Sequence, residues 1–161
     1  MPIVLFRVDE RLIHGQVVVG WGERLHMDRI IVVDDELSSS AWEQELYCLG
    51  VPAAVDAVFT TVAEARRDMQ HWRQDPRRLI VLVRDLDTLA RLSADRLLES
   101  EEVNLGGIHF AQGRERVLPY LFLSQAEQDV LQRIASLGAV LSARDLPASR
   151  PISLPDLLDG G

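Results

Sequence analysis

Short runs of aliphatic and β-branched residues alternate along this chain with stretches whose apolar residues recur every three or four positions, and this alternation narrows the fold class sharply. Leu79-Ile80-Val81-Leu82-Val83 has no polar alternation, the pattern of a strand buried on both faces of a parallel sheet. Ile3 to Phe6, Arg29 to Val33 and residues 53–60 read as further strands. Thr61-x-x-Glu64, Ser124-x-x-Glu127 and Ser40-x-x-Glu43 have the form of capping boxes that open helices. Val62, Ala65, Met69 and Trp72 then share one helical face, as do Val130, Leu131, Ile134 and Leu137, with Gly138 at the position that ends a helix. A Leu-rich helix is expected over residues 86–98. Short strands are expected at residues 103–110, 120–123 and 139–142, before an irregular tail marked by Pro147, Pro151 and Pro155. Strands alternating with helices specify an α/β fold: a doubly wound, mostly parallel central sheet with helices on both faces, as a single domain over residues 1–161.

Composition excludes several function classes. The formal net charge of −8 argues against nucleic acid or an acidic membrane as partner, since both require a basic face. No apolar run approaches the ~20 residues that span a bilayer, and no secretory leader is visible. The single cysteine, Cys48, suits a reducing compartment and reads as a core thiol; the expected location is the cytoplasm. All 17 basic residues are arginine, so no lysine is present to bind phosphate in a P-loop or to form a Schiff base.

The chemistry concentrates in Phe6-Arg7-Val8-Asp9-Glu10-Arg11-Leu12-Ile13-His14-Gly15-Gln16-Val17. An apolar strand runs into a polar loop with two arginines, an aspartate and a histidine, and an apolar stretch after Gly15 reads as a helix. In a doubly wound sheet, ligands sit beyond the carboxyl ends of the strands, so His14 is well placed to carry a phosphoryl group. Arginine forks match phosphate oxygens, and free N–H groups at a helix start attract anions. Arg7 and Arg11, with the N–H groups of Gly15 and Gln16, are the candidate phosphate-binding groups. Asp9 is placed either to fix the imidazole of His14 or to pair with Arg7, which leaves the strand on the same side.

Other polar residues carry less. His26 and His71 lie in no motif. His109 follows Gly106-Gly107, where backbone can approach a phosphate, but a structural role suits it better. Asp34 and Asp35 close a strand and suit helix capping or the lining of a pocket; no further ligands sit at metal-site spacing, so no metal or other cofactor is expected.

Arg7-x-Asp9-x-Arg11-Leu12-Ile13-His14-Gly15-Gln16-Val17 followed by Gly20-Trp21 resembles the start of IIB components of the mannose/fructose/sorbose family of the bacterial phosphoenolpyruvate-dependent sugar phosphotransferase system (PTS). The resemblance continues through Ile31 to Glu36, Val103-Asn104-Leu105-Gly106-Gly107, Leu137-Gly138-Ala139 and Leu146-Pro147; the chain departs from the pattern over residues 37–42 and 47–52. It implies a phosphocarrier that accepts a phosphoryl group on Nδ1 of His14 from a phosphohistidine of a IIA partner. The group then passes to a sugar held by the membrane IIC and IID components. Two other functions suit the same loop: a regulatory phosphocarrier in an incomplete system, and a non-catalytic module that binds a phosphorylated ligand.

Overall fold

Where apolar side chains alternate along a strand, each face of a sheet needs its own cover, and here the two covers are distinct. The computed structural model describes residues 2–159. Its main sheet has the order β3-β2-β4-β1-β5-β8-β9, built from β1 (Ile3–Val8), β2 (Arg29–Val33), β3 (Asp56–Thr60), β4 (Leu79–Val83), β5 (Glu102–Leu105), β8 (Val140–Ala143) and β9 (Ile152–Ser153). All neighbours pair in parallel except β8 and β9. A separate antiparallel pair, β6 (Glu115–Leu118) and β7 (Leu121–Leu123), follows β5.

Phe6, Val8, Ile31, Val33, Val81 and Val83 point to one face. They pack there against α2 (Val62–Arg73), α3 (Leu86–Ser93), α4 (Gln125–Ser136) and α5 (Leu154–Asp159). Leu5, Ile30, Val32, Ile80 and Leu82 point to the other, under Val17, Val18 and Trp21 of a π-helix (Gln16–Glu23) and under Leu12, Ile13 and Leu37. The period of two along β1, β2 and β4 sorts the residues into these clusters, and β4 is buried on both faces as its unbroken apolar run requires. The chain after β1 therefore crosses to one face, while the helices after β4 and β5 lie on the other. That divergence leaves the end of β1 open at a switch point of the sheet.

Local capping explains most element boundaries. Thr61 and Ser124 adopt extended backbone, with ψ of 164° and 165°, and both form complete capping boxes with Glu64 and Glu127. Ser40 does not: the 3₁₀ turn Leu37–Ser39 before it leaves its ψ at 88°, and its hydroxyl caps nothing. Gln44 instead donates to the carbonyls of Leu37 and Ser38, 2.9 and 3.1 Å away, to hold the start of α1 (Ala41–Cys48). Gly138, with φ of 99°, ends α4 as expected.

Four expectations are corrected. The Leu-rich helix stops at Ser93, because Asp95 and Arg96 take left-handed backbone (φ 58° and 57°) and Arg66 bonds the carbonyls of Arg91, Leu92 and Ala94. The tail is not irregular; it contributes β9 and α5, whose Leu154 and Leu157 are core residues. Residues 53–55 precede β3 rather than belonging to it. Cys48 is exposed, because α1 buries none of its residues fully.

Candidate functional site

β1 ends at Val8, and the next residues are pinned by backbone bonds to the strands on either side. Asp9 N–H donates to the Val83 carbonyl at 2.9 Å and Glu10 N–H to the Gly107 carbonyl at 2.9 Å. The chain then turns: Leu12 N–H donates back to the Asp9 carbonyl at 3.0 Å, and Leu12 takes φ of 54°. A bulky residue in the left-handed region is strained. Leu12 is nonetheless fully buried in the cluster beneath the π-helix, and that burial sustains the turn. It delivers His14 to the start of the helix. Val17 and Val18 donate to the His14 carbonyl at 3.0 and 2.9 Å, so the N–H groups of Gly15 and Gln16 precede the helix's first internal bonds and are free for an anion.

Asp9 is the centre of the site. Its fully buried carboxylate has Oδ2 3.2 Å from Nη2 of Arg7 and 3.2 Å from Nε2 of His14, and Oδ1 3.3 Å from Nε of Arg11. Arg11 N–H and Gly107 N–H also donate to it, at 3.1 and 3.3 Å. Burial alone would raise this carboxyl, but the contacts with His14 and Arg11 and the charge of Arg7 outweigh it and hold Asp9 well below the usual carboxylate range. It is a permanent anion. Nε2 of His14 is buried 3.2 Å from this anion, too oblique for a hydrogen bond, whereas Nδ1 is not buried. That arrangement keeps the proton on Nε2 and the lone pair on Nδ1.

Arg7 is not at the surface, contrary to the expectation that it binds phosphate. It is entirely buried and its donors are occupied: by Asp9, by the Asn104 side-chain oxygen, and by the carbonyls of Arg144 and Asp145 at 2.8 and 3.3 Å. Burial lowers its pKa, and Asp9 opposes that shift. Its guanidinium lies 5.4 Å from the ring centroid of Trp21, whose indole N–H donates to the Asp145 carbonyl at 3.0 Å. A Cβ at Gly106 would fall on that guanidinium, so only glycine admits Arg7 there. Arg7 thus works through Asp9. Arg11, by contrast, is partly exposed and reaches Gln16 Oε1 at 2.8 Å, so Arg11, Gly15 and Gln16 stand together at the helix start beside His14.

A second carboxylate–histidine pair adjoins the first. Glu10 Oε2 lies 3.2 Å from Nδ1 of His109, and Glu10 Oε1 lies 2.9 Å from Arg114, which also holds Glu127 in a bidentate pair. The glycine turn before His109 therefore lies beside the loop that follows β1, a placement that the β1–β5 pairing brings about. Asp34 accepts from Leu37 N–H at 2.9 Å and lies 3.5 Å from Arg84; Asp35 accepts from Val62 N–H at 2.9 Å and from Arg91 at 2.9 Å. Both act as caps. Arg84, at the end of β4, had no motif to mark it in the sequence. Among the described residues no cluster of three metal-binding side chains occurs. A hollow of about 740 Å³ runs along β1, β5 and β8 past Trp21 and Asn104, but His14 does not line it. The His14 side chain keeps 15% of its exposure.

The family described as "PTS system sorbose subfamily IIB component" matches residues 3–160. The chain is similar to the mannose-specific PTS EIIAB component of Escherichia coli K12, at 28% identity over 158 residues, 98% of this chain and 49% of that protein. It therefore spans about half the length of that relative. It is also similar to the sorbose-specific PTS EIIB component of Lacticaseibacillus casei, at 28% identity, with 89% of this chain and 87% of that one covered. Among solved structures, manxB of Thermoanaerobacter tengcongensis superposes with a TM-score of 0.84 at 26% identity, covering 98% of this chain and 95% of that one. The IIBSor domain of the Klebsiella pneumoniae sorbose permease shares the fold with a TM-score of 0.86 at 20% identity, covering 99% and 98%.

Proposed function

This chain belongs to the sorbose-subfamily IIB components of the PTS, and from that premise we propose that His14 carries a phosphoryl group on Nδ1 between a IIA phosphohistidine and a sugar. The observation that supports the reading best is the Asp9–His14 contact of 3.2 Å, which sets Nε2 against a buried anion and leaves Nδ1 open at the helix start. The Nδ1 lone pair attacks phosphorus, and the bond from phosphorus to the donor imidazole breaks with its electrons returning to that ring. In the second step a sugar hydroxyl oxygen attacks phosphorus, the N–P bond to His14 breaks with its electrons returning to Nδ1, and the hydroxyl proton passes to solvent. Throughout both steps Asp9 stays ionised and keeps the proton on Nε2.

Charge on the three equatorial oxygens is the main demand of such a transfer. Arg11 and the N–H groups of Gly15 and Gln16 meet it. Arg7 positions Asp9 and does not touch the phosphoryl group. The activity is a protein-Nπ-phosphohistidine–sugar phosphotransferase, working in the cytoplasm with a IIA donor and with membrane IIC and IID components that hold the sugar. Among the described residues no helix is long and apolar enough to cross a membrane.

The test is labelling from phosphoenolpyruvate through enzyme I, HPr and a cognate IIA, with His14→Ala beside the wild type. An acid-labile, alkali-stable phosphate on the wild type alone is the expected result. A wild type that takes up no label from a demonstrably charged IIA would leave a module that only binds phosphorylated ligands.

A further inference from the structure

Among the described residues α1 (Ala41–Cys48) differs from the other α-helices in having no fully buried residue. Trp42 and Leu46 are 66% and 57% exposed, and Leu49 just beyond is 83% exposed. Exposed side chains of this size on one short element mark an interaction site, and a half-exposed tryptophan is the residue most often found at the energetic centre of one. Trp42, Leu46 and Tyr47 are not scattered: with Ile13, Glu43 and Gly50 they line a hollow of about 340 Å³. Ile13 immediately precedes His14, so the hollow is continuous with the catalytic loop.

α1 and the turn before it are acidic. α1 contains Glu43 and Glu45 and no basic residue, and Glu36 precedes it. Among the described residues none of these three carboxylates takes part in an ion pair, whereas nearby Asp34 and Asp35 are held by Arg84 and Arg91. An apolar hollow lined by Glu43, on a helix whose carboxylates have no cationic partner, repels an anionic lipid surface and attracts a basic protein surface. Of the two proteins that must reach His14 in turn, the membrane-embedded acceptor has a general reason to be basic. Cytoplasmic loops of membrane proteins carry an excess of lysine and arginine.

We propose that the outer face of α1, with Trp42, Glu43 and Leu46 around the hollow over Ile13 and with Glu45 on the same helix and Glu36 before it, docks the basic cytoplasmic loops of the membrane component that takes the phosphoryl group from His14. The proposal rests on the phosphocarrier reading above. The surface around His14 is then shared between the two transfer steps, with α1 serving delivery and not charging. An apolar side chain from a loop fills the hollow and bears on Ile13, while lysines or arginines meet the three carboxylates.

Trp42→Ala/Leu46→Ala and Glu36→Gln/Glu43→Gln/Glu45→Gln alter only exposed or half-buried positions. Each is assayed twice: for charging of His14 by phosphorylated IIA, and, once charged, for transfer to sugar by vesicles containing the cognate IIC and IID. The expected result is charging within twofold of wild type, with a tenfold or greater rise in KM for the charged protein at the vesicles. In the carboxylate variant that KM also loses most of its dependence on salt. An unchanged vesicle KM would overturn the proposal, and so would an equal loss in the charging step, which would assign α1 to the donor. If wild-type His14 takes up no label at all, the phosphocarrier reading fails first, and that outcome is read in the charging assay alone.

Discussion

The carboxylate of Asp9, buried beneath the loop that follows β1, stands 3.2 Å from Nε2 of His14. The same oxygen is 3.2 Å from the buried guanidinium of Arg7. One anion thus stands against both the imidazole of His14 and an inaccessible arginine, so its loss has two separable consequences.

Asp9→Asn removes the acceptor that keeps the proton on Nε2, and transfer through His14 should fall on the order of 10²–10⁴-fold. It also leaves Arg7 charged and unpaired in the interior, at a cost of about 3–5 kcal/mol. Thermal unfolding and the labelling assay measure the two effects. A variant with wild-type transfer would show that Asp9 does not set the tautomer.

The pH dependence of stability carries the same signature. The folded Asp9 carboxyl lies well below its unfolded value of 3.8, so the unfolded chain takes up the proton first and acid favours unfolding. The contribution is whole above roughly pH 5 and is lost as pH falls from there toward the folded value. Tm measured between pH 6 and about pH 2 should fall less steeply in Asp9→Asn than in the wild type; equal slopes would count against the buried anion.

Glu101 gives the opposite sign. Burial raises its carboxyl, with Arg73 opposing at 3.7 Å, and its Oε1 has no hydrogen-bond partner. The ionised form is disfavoured in the folded protein, so stability is fully present below the unfolded pKa and is lost as pH rises through the folded one. Glu101→Gln should raise Tm at pH 7, by about 2–4 °C for each kcal/mol recovered. The gain should vanish near pH 4, and a gain that persisted there would have another origin.

Two glycines of the site separate packing from conformation. A Cβ at Gly106 collides with the Arg7 guanidinium, whereas one at Gly15, in right-handed helical backbone, meets nothing within 4 Å. Gly106→Ala should cost roughly 1–3 kcal/mol and impair transfer by displacing Arg7 from Asp9. Gly15→Ala should leave Tm within a degree or two, as its backbone already suits alanine. Denaturant unfolding of the pair decides whether the two glycines differ in this way.

Arg11 is the cation at the helix start that keeps solvent exposure, with its side chain 37% accessible. Arg11→Gln should lower the rate of transfer on the order of 10²–10³-fold, as for loss of one oriented donor to developing charge. Stability should change by less than about 1 kcal/mol, because a partly exposed pair is screened. A large loss of Tm with little loss of rate would make Arg11 structural.

The sequence alone determined the class of fold and the place of the His14 loop within it, because both depend on short-range patterns. Periods of two and three to four sort side chains onto faces, and the unbroken Leu79–Val83 run requires cover on both sides. The strand–loop–helix pattern alone places His14 beyond the end of β1. Tertiary structure decided the division of labour between Arg7 and Arg11. Both stand two residues from Asp9, and nothing local says that Asn104 and the carbonyls of Arg144 and Asp145, close to 100 residues or more away, surround the first and not the second. It also decided that Ser40 caps nothing, since a preceding turn set its backbone, and that α1 stays at the surface. Burial and partner geometry are properties of distant chain segments brought together, and they separate two arginines that the sequence presents as equivalent.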